Sequence, residues 1–157
     1  MIIAPHEIDE NNIARLKNLL NKNQLSFHLY SDGLTNYTHP ILVVNAIGFL
    51  SSIYQYGKVA FIGGGFADGI HNILEPTVYG LPVLFGPNYK KFNEAYEVIN
   101  LKVGFVISNS TELTRQLEVF LDDSEALSLS SQLAKNYVRK NSGATQKIVQ
   151  ELKKYLI

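Results

Sequence analysis

Three consecutive glycines, Gly63, Gly64 and Gly65, follow the apolar run Val59-Ala60-Phe61-Ile62, and His71, Asn72 and Glu75 come within the next ten residues. A run of β-formers, a glycine cluster and then a helical pattern is an order that brings bare backbone N–H groups up to an anion. His71 and Asn72 fall where a helix over residues 73–79 should begin, so the dipole and the unbonded N–H groups there favour a phosphate. One phosphate group suits such a site better than a triphosphate. Walker A chemistry would need Gly-Lys-Ser/Thr after the glycines. The dinucleotide fingerprint would need G-x-G-x-x-G with an acid closing the next strand, and the chain carries neither. A glycine cluster by itself also serves as a tight strand-to-helix turn.

Glu75 has two readings that the local pattern weighs equally. It can close a capping box with Asn72, three residues upstream, by accepting a free backbone N–H. Alternatively it can accept two neighbouring hydroxyls, as a ribose diol offers. Pro76 then sits in the first helical turn, where it loses no bond. His6 follows a strand-final proline and is within reach of a ligand, whereas His28 in a strand and His39 before Pro40 read as structural. Lys90 and Lys91 read as a solvated helix start, and Asp122-Asp123 as a cap for the helix from Ser124. The chain has no cysteine, no Asp-x-Asp, no His-x-x-x-His and no nucleophile elbow. What remains suits a binding half more than a complete catalytic machine.

The elements that must position these residues alternate regularly. Strands are expected at the start of the chain and over residues 26–30, 41–44, 59–62, 83–85 and 104–107. Ile41-Leu42-Val43-Val44 is an uninterrupted branched run, the mark of a strand covered on both faces. Helices are expected from a cap at Asp9 or Asn11 to about Leu20, over residues 47–56, 73–79 and 91–99, from a cap at Ser110 or Thr111, from Ser124, and finally over an amphipathic stretch carrying Ile148, Val149, Leu152 and Leu156. Strand and helix in alternation with short links predict an α/β fold, a Rossmann-like doubly wound parallel sheet. Ligands of such sheets bind beyond the carboxyl ends of the strands. The loops there are Pro5-His6-Glu7, residues 45–49, residues 63–75 and residues 86–91.

At 157 residues the chain fits one domain able to bury a core. Its 14 basic and 14 acidic residues cancel, so no global field draws it to nucleic acid or anionic lipid. No apolar run has the length of a membrane span. Met1-Ile2-Ile3-Ala4-Pro5 opens as a buried strand with nothing ahead of it, as a fragment would.

The segments Val59-Ala60-Phe61-Ile62-Gly63-Gly64-Gly65, Gly69-Ile70-His71-Asn72-Ile73-Leu74-Glu75-Pro76 and Tyr79-Gly80-Leu81-Pro82-Val83-Leu84-Phe85-Gly86-Pro87-Asn88 closely resemble the C-terminal half of 3-deoxy-D-manno-octulosonic acid (Kdo) transferases, glycosyltransferases of lipid A assembly. The likeness continues at Ile2-Ile3-Ala4-Pro5-His6 and Asn141-Ser142-Gly143-Ala144-Thr145. It implies the C-terminal half of a GT-B fold, a single nucleotide-sugar-binding domain over residues 1–157. The N-terminal acceptor domain and the first strand of this domain would then be absent.

The resemblance further implies that the chain binds CMP-Kdo or CMP, while the absent domain holds the lipid A precursor and the general base. The family inverts configuration when an acceptor hydroxyl displaces CMP from Kdo. No cofactor and no metal is implied, and no catalytic residue falls in this chain. The isolated domain should be inactive. The implied binding residues are Pro5 and His6, Ile47, Gly48 and Phe49, Gly64 and Gly65, and His71, Asn72, Ile73, Leu74 and Glu75. The family has an arginine beside the residue matched by His6 and a carboxylate where this chain has Phe49. The match at His71, Asn72, Leu74 and Glu75 turns Glu75 toward ribose binding. The full-length protein is expected at the cytoplasmic face of the bacterial inner membrane, with this domain soluble and not itself inserted. Alternatives are a GT-B domain for another nucleotide sugar and a non-catalytic nucleotide-binding module. A response-regulator-like domain is disfavoured because the early strands lack its acidic cluster.

Overall fold

The computed structural model describes residues 1–33 and 38–155. The chain forms two compact units, Met1–Ser52 and Ile53–Ile157.

In the first unit, β1 (Ile2–Ile3) leads into α1 (Glu10–Lys22), then β2 (Phe27–Leu29), a 3-10 turn Tyr30–Asp32 and β3 (Ile41–Val43). The strands are parallel in the order β1-β3-β2. The branched run takes the central place expected of it, with Ile41, Val43 and Val44 all buried. Leu20 of α1 packs on Ile41 and Val43, with Ile3, Leu16, Phe27 and Leu29 around them. Asp9 caps α1 by accepting the N–H groups of Asn11 and Asn12. Helix α2 (Leu50–Ile53) ends this part and runs on as a 3-10 turn, Tyr54–Tyr56. It is therefore shorter than the helix expected over residues 47–56.

The second unit contains β4 (Ala60–Ile62), α3 (Leu74–Val78), β5 (Val83–Phe85), α4 (Asn93–Asn100), β6 (Gly104–Val106), α5 (Ser110–Asp122), α6 (Ser124–Asn141) and α7 (Ala144–Lys153). Its strands are parallel in the order β4-β5-β6. Side chains alternate across the sheet. Ala60, Ile62, Val83 and Phe85 join a core with Ile73, the N-cap of α3, and with Ala95, Val98, Ala134 and Tyr137 from α4 and α6. Leu84 points the other way into a second core with Phe120 of α5 and Ile107. Helices thus cover both faces, as the α/β expectation requires.

The helix ends follow from local side chains. Asp123 accepts the N–H groups of Glu125 and Ala126 and so starts α6, as expected. Asn109, not Ser110 or Thr111, caps α5. It accepts the Glu112 N–H, while the Glu112 carboxylate reaches back to the Ser108 N–H. Gly80, at φ +78°, ends α3 in a Schellman motif, with Leu81 N–H on the Pro76 carbonyl and Gly80 N–H on the Thr77 carbonyl. Helix α7 forms where expected, but all its residues are exposed, and Leu156 lies outside the described residues. No described helix is long and apolar enough to cross a membrane.

Tyr137 carries a half-buried polar contact between α6 and α4: its O–H donates to Glu97 Oε2 at 2.6 Å. Burial first, then the hydrogen bond to Glu97 and the charges of Glu97 and Glu94, push its phenol up to about 12. The unfolded phenol ionises near 10.0. Between those values the folded chain holds the extra proton, so this residue makes stability fall as pH rises through the interval. Urea unfolding between pH 9 and about 11.5 should show that decline in the wild-type chain and a flatter one in Tyr137→Phe.

Candidate functional site

The glycine loop leaves the carboxyl end of β4 and closes on itself. Ala67 and Gly69 both donate their N–H to the Gly64 carbonyl, and His71 donates to the Gly63 carbonyl. Gly64 lies at φ +84°, and a Cβ there would meet the Gly69 oxygen at 2.2 Å. Gly65 rests with its backbone directly on that of Gly86, just past β5. A Cβ on Gly65 would lie 2.6 Å from Gly86 N, and one on Gly86 would lie 2.5 Å from the Gly65 carbonyl carbon.

Residues past β5 then grip the loop. Asn88 donates its backbone N–H to the Gly65 carbonyl at 2.9 Å and its side-chain Nδ2 to the Ala67 carbonyl at 2.8 Å. The Phe92 ring closes over Gly69. The carbonyls of Gly63, Gly64, Gly65 and Ala67 are thereby used, whereas the amides of Gly65, Phe66 and Asp68 have no hydrogen-bond partner among the described residues.

The His71–Glu75 stretch differs from its sequence expectation. Helix α3 has five residues, too few to build a strong dipole, and starts at Leu74 with Ile73 as an N-cap that supplies no side-chain bond. Asn72 Oδ1 accepts the Leu74 N–H at 2.9 Å, and Asn72 Nδ2 donates to Glu75 Oε1 at 3.0 Å. The capping box is therefore replaced by a side-chain pair, because Glu75 takes the Asn72 amide rather than a backbone N–H. The His71 N–H is also engaged, on the Gly63 carbonyl. Unpartnered backbone donors among the described residues therefore lie both in the glycine loop, at Gly65, Phe66 and Asp68, and at the helix end, at Asn72, Ile73 and Glu75. The second carboxylate oxygen of Glu75 has no partner among the described residues.

Each expected residue of this unit can be placed. Gly64, Gly65, His71, Asn72 and Glu75 come together, with the His71 ring beside Gly63 and Gly64. Ile73 is only 1% exposed and its side chain belongs to the core, so a part in binding is left to its backbone. Leu74 remains exposed. Tyr54 is a residue that spacing did not single out, because it reads as one more helix-packing aromatic. It packs on the same core, and its phenol is pushed up by burial and by the negative charge of Glu75. Asn88 falls in the expected rim loop 86–91, but nothing local marks its contacts some twenty residues upstream.

Pro5, His6, Ile47, Gly48 and Phe49 lie on the first unit. Because β1, β2 and β3 run parallel, the segments following them leave the same edge of that sheet. Asn45 ties two of these segments: its Oδ1 accepts the Ser31 N–H, and its Nδ2 donates to Ser31 Oγ. Phe49 packs its ring on Tyr30 with centroids 4.9 Å apart. Ile47 is 86% exposed, and Gly48 sits at φ +90°. His28 contacts the Gly33 carbonyl and stacks on His39, in keeping with a structural role. Among the described residues no group of three or more His, Asp or Glu could hold a metal ion.

The backbone contact between Gly65 and Gly86 has a direct consequence. Gly86→Ala should cost about 1–3 kcal/mol in urea unfolding, the usual range for overpacking, and should shift the NMR signals of residues 63–69 more than those of β6.

No protein-family model matches the chain. The 3-deoxy-D-manno-octulosonic acid transferase of Aquifex aeolicus (strain VF5) is 32% identical over 123 residues, which cover 77% of this chain and 33% of that protein. The transferase of the same description from Chlamydophila psittaci is 28% identical over 156 residues, covering 98% of this chain and 35% of that protein. The crystal structure of the C-terminal CMP-Kdo binding domain of WaaA from Acinetobacter baumannii superposes with a TM-score of 0.76 at 23% identity, over 86% of this chain and 71% of that one. The α/β architecture is thus shared with that domain. The chain spans about a third of the length of these transferases. With that match running along most of its own length, the chain belongs to the 3-deoxy-D-manno-octulosonic acid transferase family.

Proposed function

We propose that this chain is the donor-binding domain of an inverting glycosyltransferase, binding CMP-Kdo for transfer of Kdo to a lipid A precursor in lipopolysaccharide biosynthesis. The observation that carries the reading is the pair Asn72–Glu75, held beside a glycine loop in which the amides of Gly65, Phe66 and Asp68 have no partner among the described residues. A carboxylate fixed at one oxygen and open at the other suits a ribose diol. Two or three backbone N–H groups nearby suit the phosphate.

In the reaction the acceptor hydroxyl attacks C2 of Kdo, the bond from C2 to the phosphate oxygen breaks, and CMP leaves with the electron pair. The acceptor proton passes to a base outside this chain. Charge grows on the departing phosphate, and donors already aimed at it lower the barrier most. The amides of Gly65, Phe66 and Asp68 are the groups for that task, with the His71 ring beside them. CMP-Kdo is substrate, and on this reading the chain needs neither cofactor nor metal. Pro5, His6, Ile47, Gly48 and Phe49 keep the nucleotide-contacting roles that the resemblance gives them. The chain acts as one domain of a longer protein working at the cytoplasmic face of the inner membrane, and by itself transfers nothing.

His6 without a neighbouring arginine, and Phe49 in place of a carboxylate, are the features that favour a different nucleotide sugar. Calorimetric titration separates the readings. CMP should bind the chain more tightly than UDP or GDP. Removing the Glu75 carboxylate in Glu75→Ala should weaken CMP by about tenfold or more, since a hydrogen bond to a charged group contributes about 1.5–3 kcal/mol. Asn72→Ala, which leaves Glu75 in place but unheld, should weaken it less. Equal affinity for all three nucleotides, or none for CMP, would overturn the assignment.

A further inference from the structure

The Gly63–Gly69 stretch contains four glycines and so has little conformational preference of its own. Its shape is imposed from outside, and Asn88 supplies two of the hydrogen bonds that impose it. Those bonds fix more than position. A trans peptide is planar, with the carbonyl oxygen of one residue and the N–H of the next on opposite sides. Turning the Gly65 carbonyl toward Asn88 therefore turns the Phe66 N–H away from it. The Ala67 carbonyl on Asn88 Nδ2 turns the Asp68 N–H away in the same manner. Both amides lack a partner among the described residues, and Phe66, Ala67 and Asp68 are exposed.

We propose that Asn88 is a positioning residue of the donor site, orienting two peptide planes so that the amides of Phe66 and Asp68 are presented to an anionic group of the nucleotide donor. The proposal rests on the reading of the chain as a nucleotide-sugar donor domain. The residue type follows from the chemistry. The backbone N–H of any residue could reach Gly65, but the second bond needs a short side chain ending in a neutral donor. Aspartate has the same shape and no proton to give, so it would set a charge against the Ala67 carbonyl.

The test compares CMP with cytidine, which lacks the phosphate, on the 157-residue chain, using wild type, Asn88→Ala and Asn88→Asp. Asn88 is exposed, and both variants should fold with an unchanged melting temperature. CMP affinity should fall on the order of tenfold in both variants, with cytidine held within about twofold. Amide hydrogen exchange at residues 65–68 should quicken in both while that of β5 stays constant. If wild type binds CMP and Asn88→Ala binds it equally well, the positioning role is overturned and the donor-domain reading stands. If CMP and cytidine weaken together, Asn88 supports the fold rather than the phosphate, and the role is likewise overturned. If wild type binds no CMP, the donor-domain reading fails and this role fails with it.

Discussion

Two backbones touch where β4 and β5 end, with no side chain between them. Gly65 lies on Gly86 so closely that a single methyl group on either would overlap the other. The rest of the candidate site depends on that approach. It brings the residues after β5 within hydrogen-bond reach of the glycine loop, so that Asn88 takes the Gly65 and Ala67 carbonyls and Phe92 closes over Gly69. A loop rich in glycine loses much conformational freedom on ordering, and these contacts offset that cost. Parallel pairing of β4 with β5 sets the contact up, since Ile62 opposite Phe85 places both exits at the same edge.

The second support lies beneath the His71–Glu75 stretch. Ile73 is buried under it, and Thr77 spends its buried hydroxyl on the Ile73 carbonyl. Pro76 is buried as well, and the Schellman turn at Gly80 stops the helix after barely more than one turn. So short a helix is held by packing rather than by its own hydrogen bonds. Its anchored underside leaves Asn72 and Glu75 on the outer side, where they pair with each other. The site is thus a small polar surface on an apolar footing shared with β4, β5 and α6.

Electrostatically the two halves of this surface are complementary. Glu75 brings one negative charge, suited to hydroxyl donors, and its field reaches Tyr54. The glycine loop brings neutral N–H dipoles suited to an anion. A nucleotide presents both partners, hydroxyls on the ribose and charge on the phosphate. The chain belongs to the transferase family and shares its fold with a domain described as CMP-Kdo binding.

The sequence by itself determined the α/β alternation, the buried central strand, a cap at Asp9 or Asn11 and one at Asp123, and the glycine-to-helix order that brings His71, Asn72 and Glu75 near the glycines. These are legible because they are local: a strand alternates, a cap reaches three residues ahead, and a glycine cluster breaks a run. Only the tertiary structure decided that Asn109 rather than Ser110 starts α5, that Ile73 belongs to the core, and that Glu75 holds a side chain instead of a backbone amide. It alone also decided that, among the described residues, the amides of Gly65, Phe66 and Asp68 in the loop lack partners as well as those at the end of the helix. The contacts of Gly86, Asn88 and Tyr54 are silent in the sequence because their partners lie some twenty residues away. Which groups meet across that distance is set by the register of β4 on β5 and by burial of a common core, neither of which any short stretch encodes.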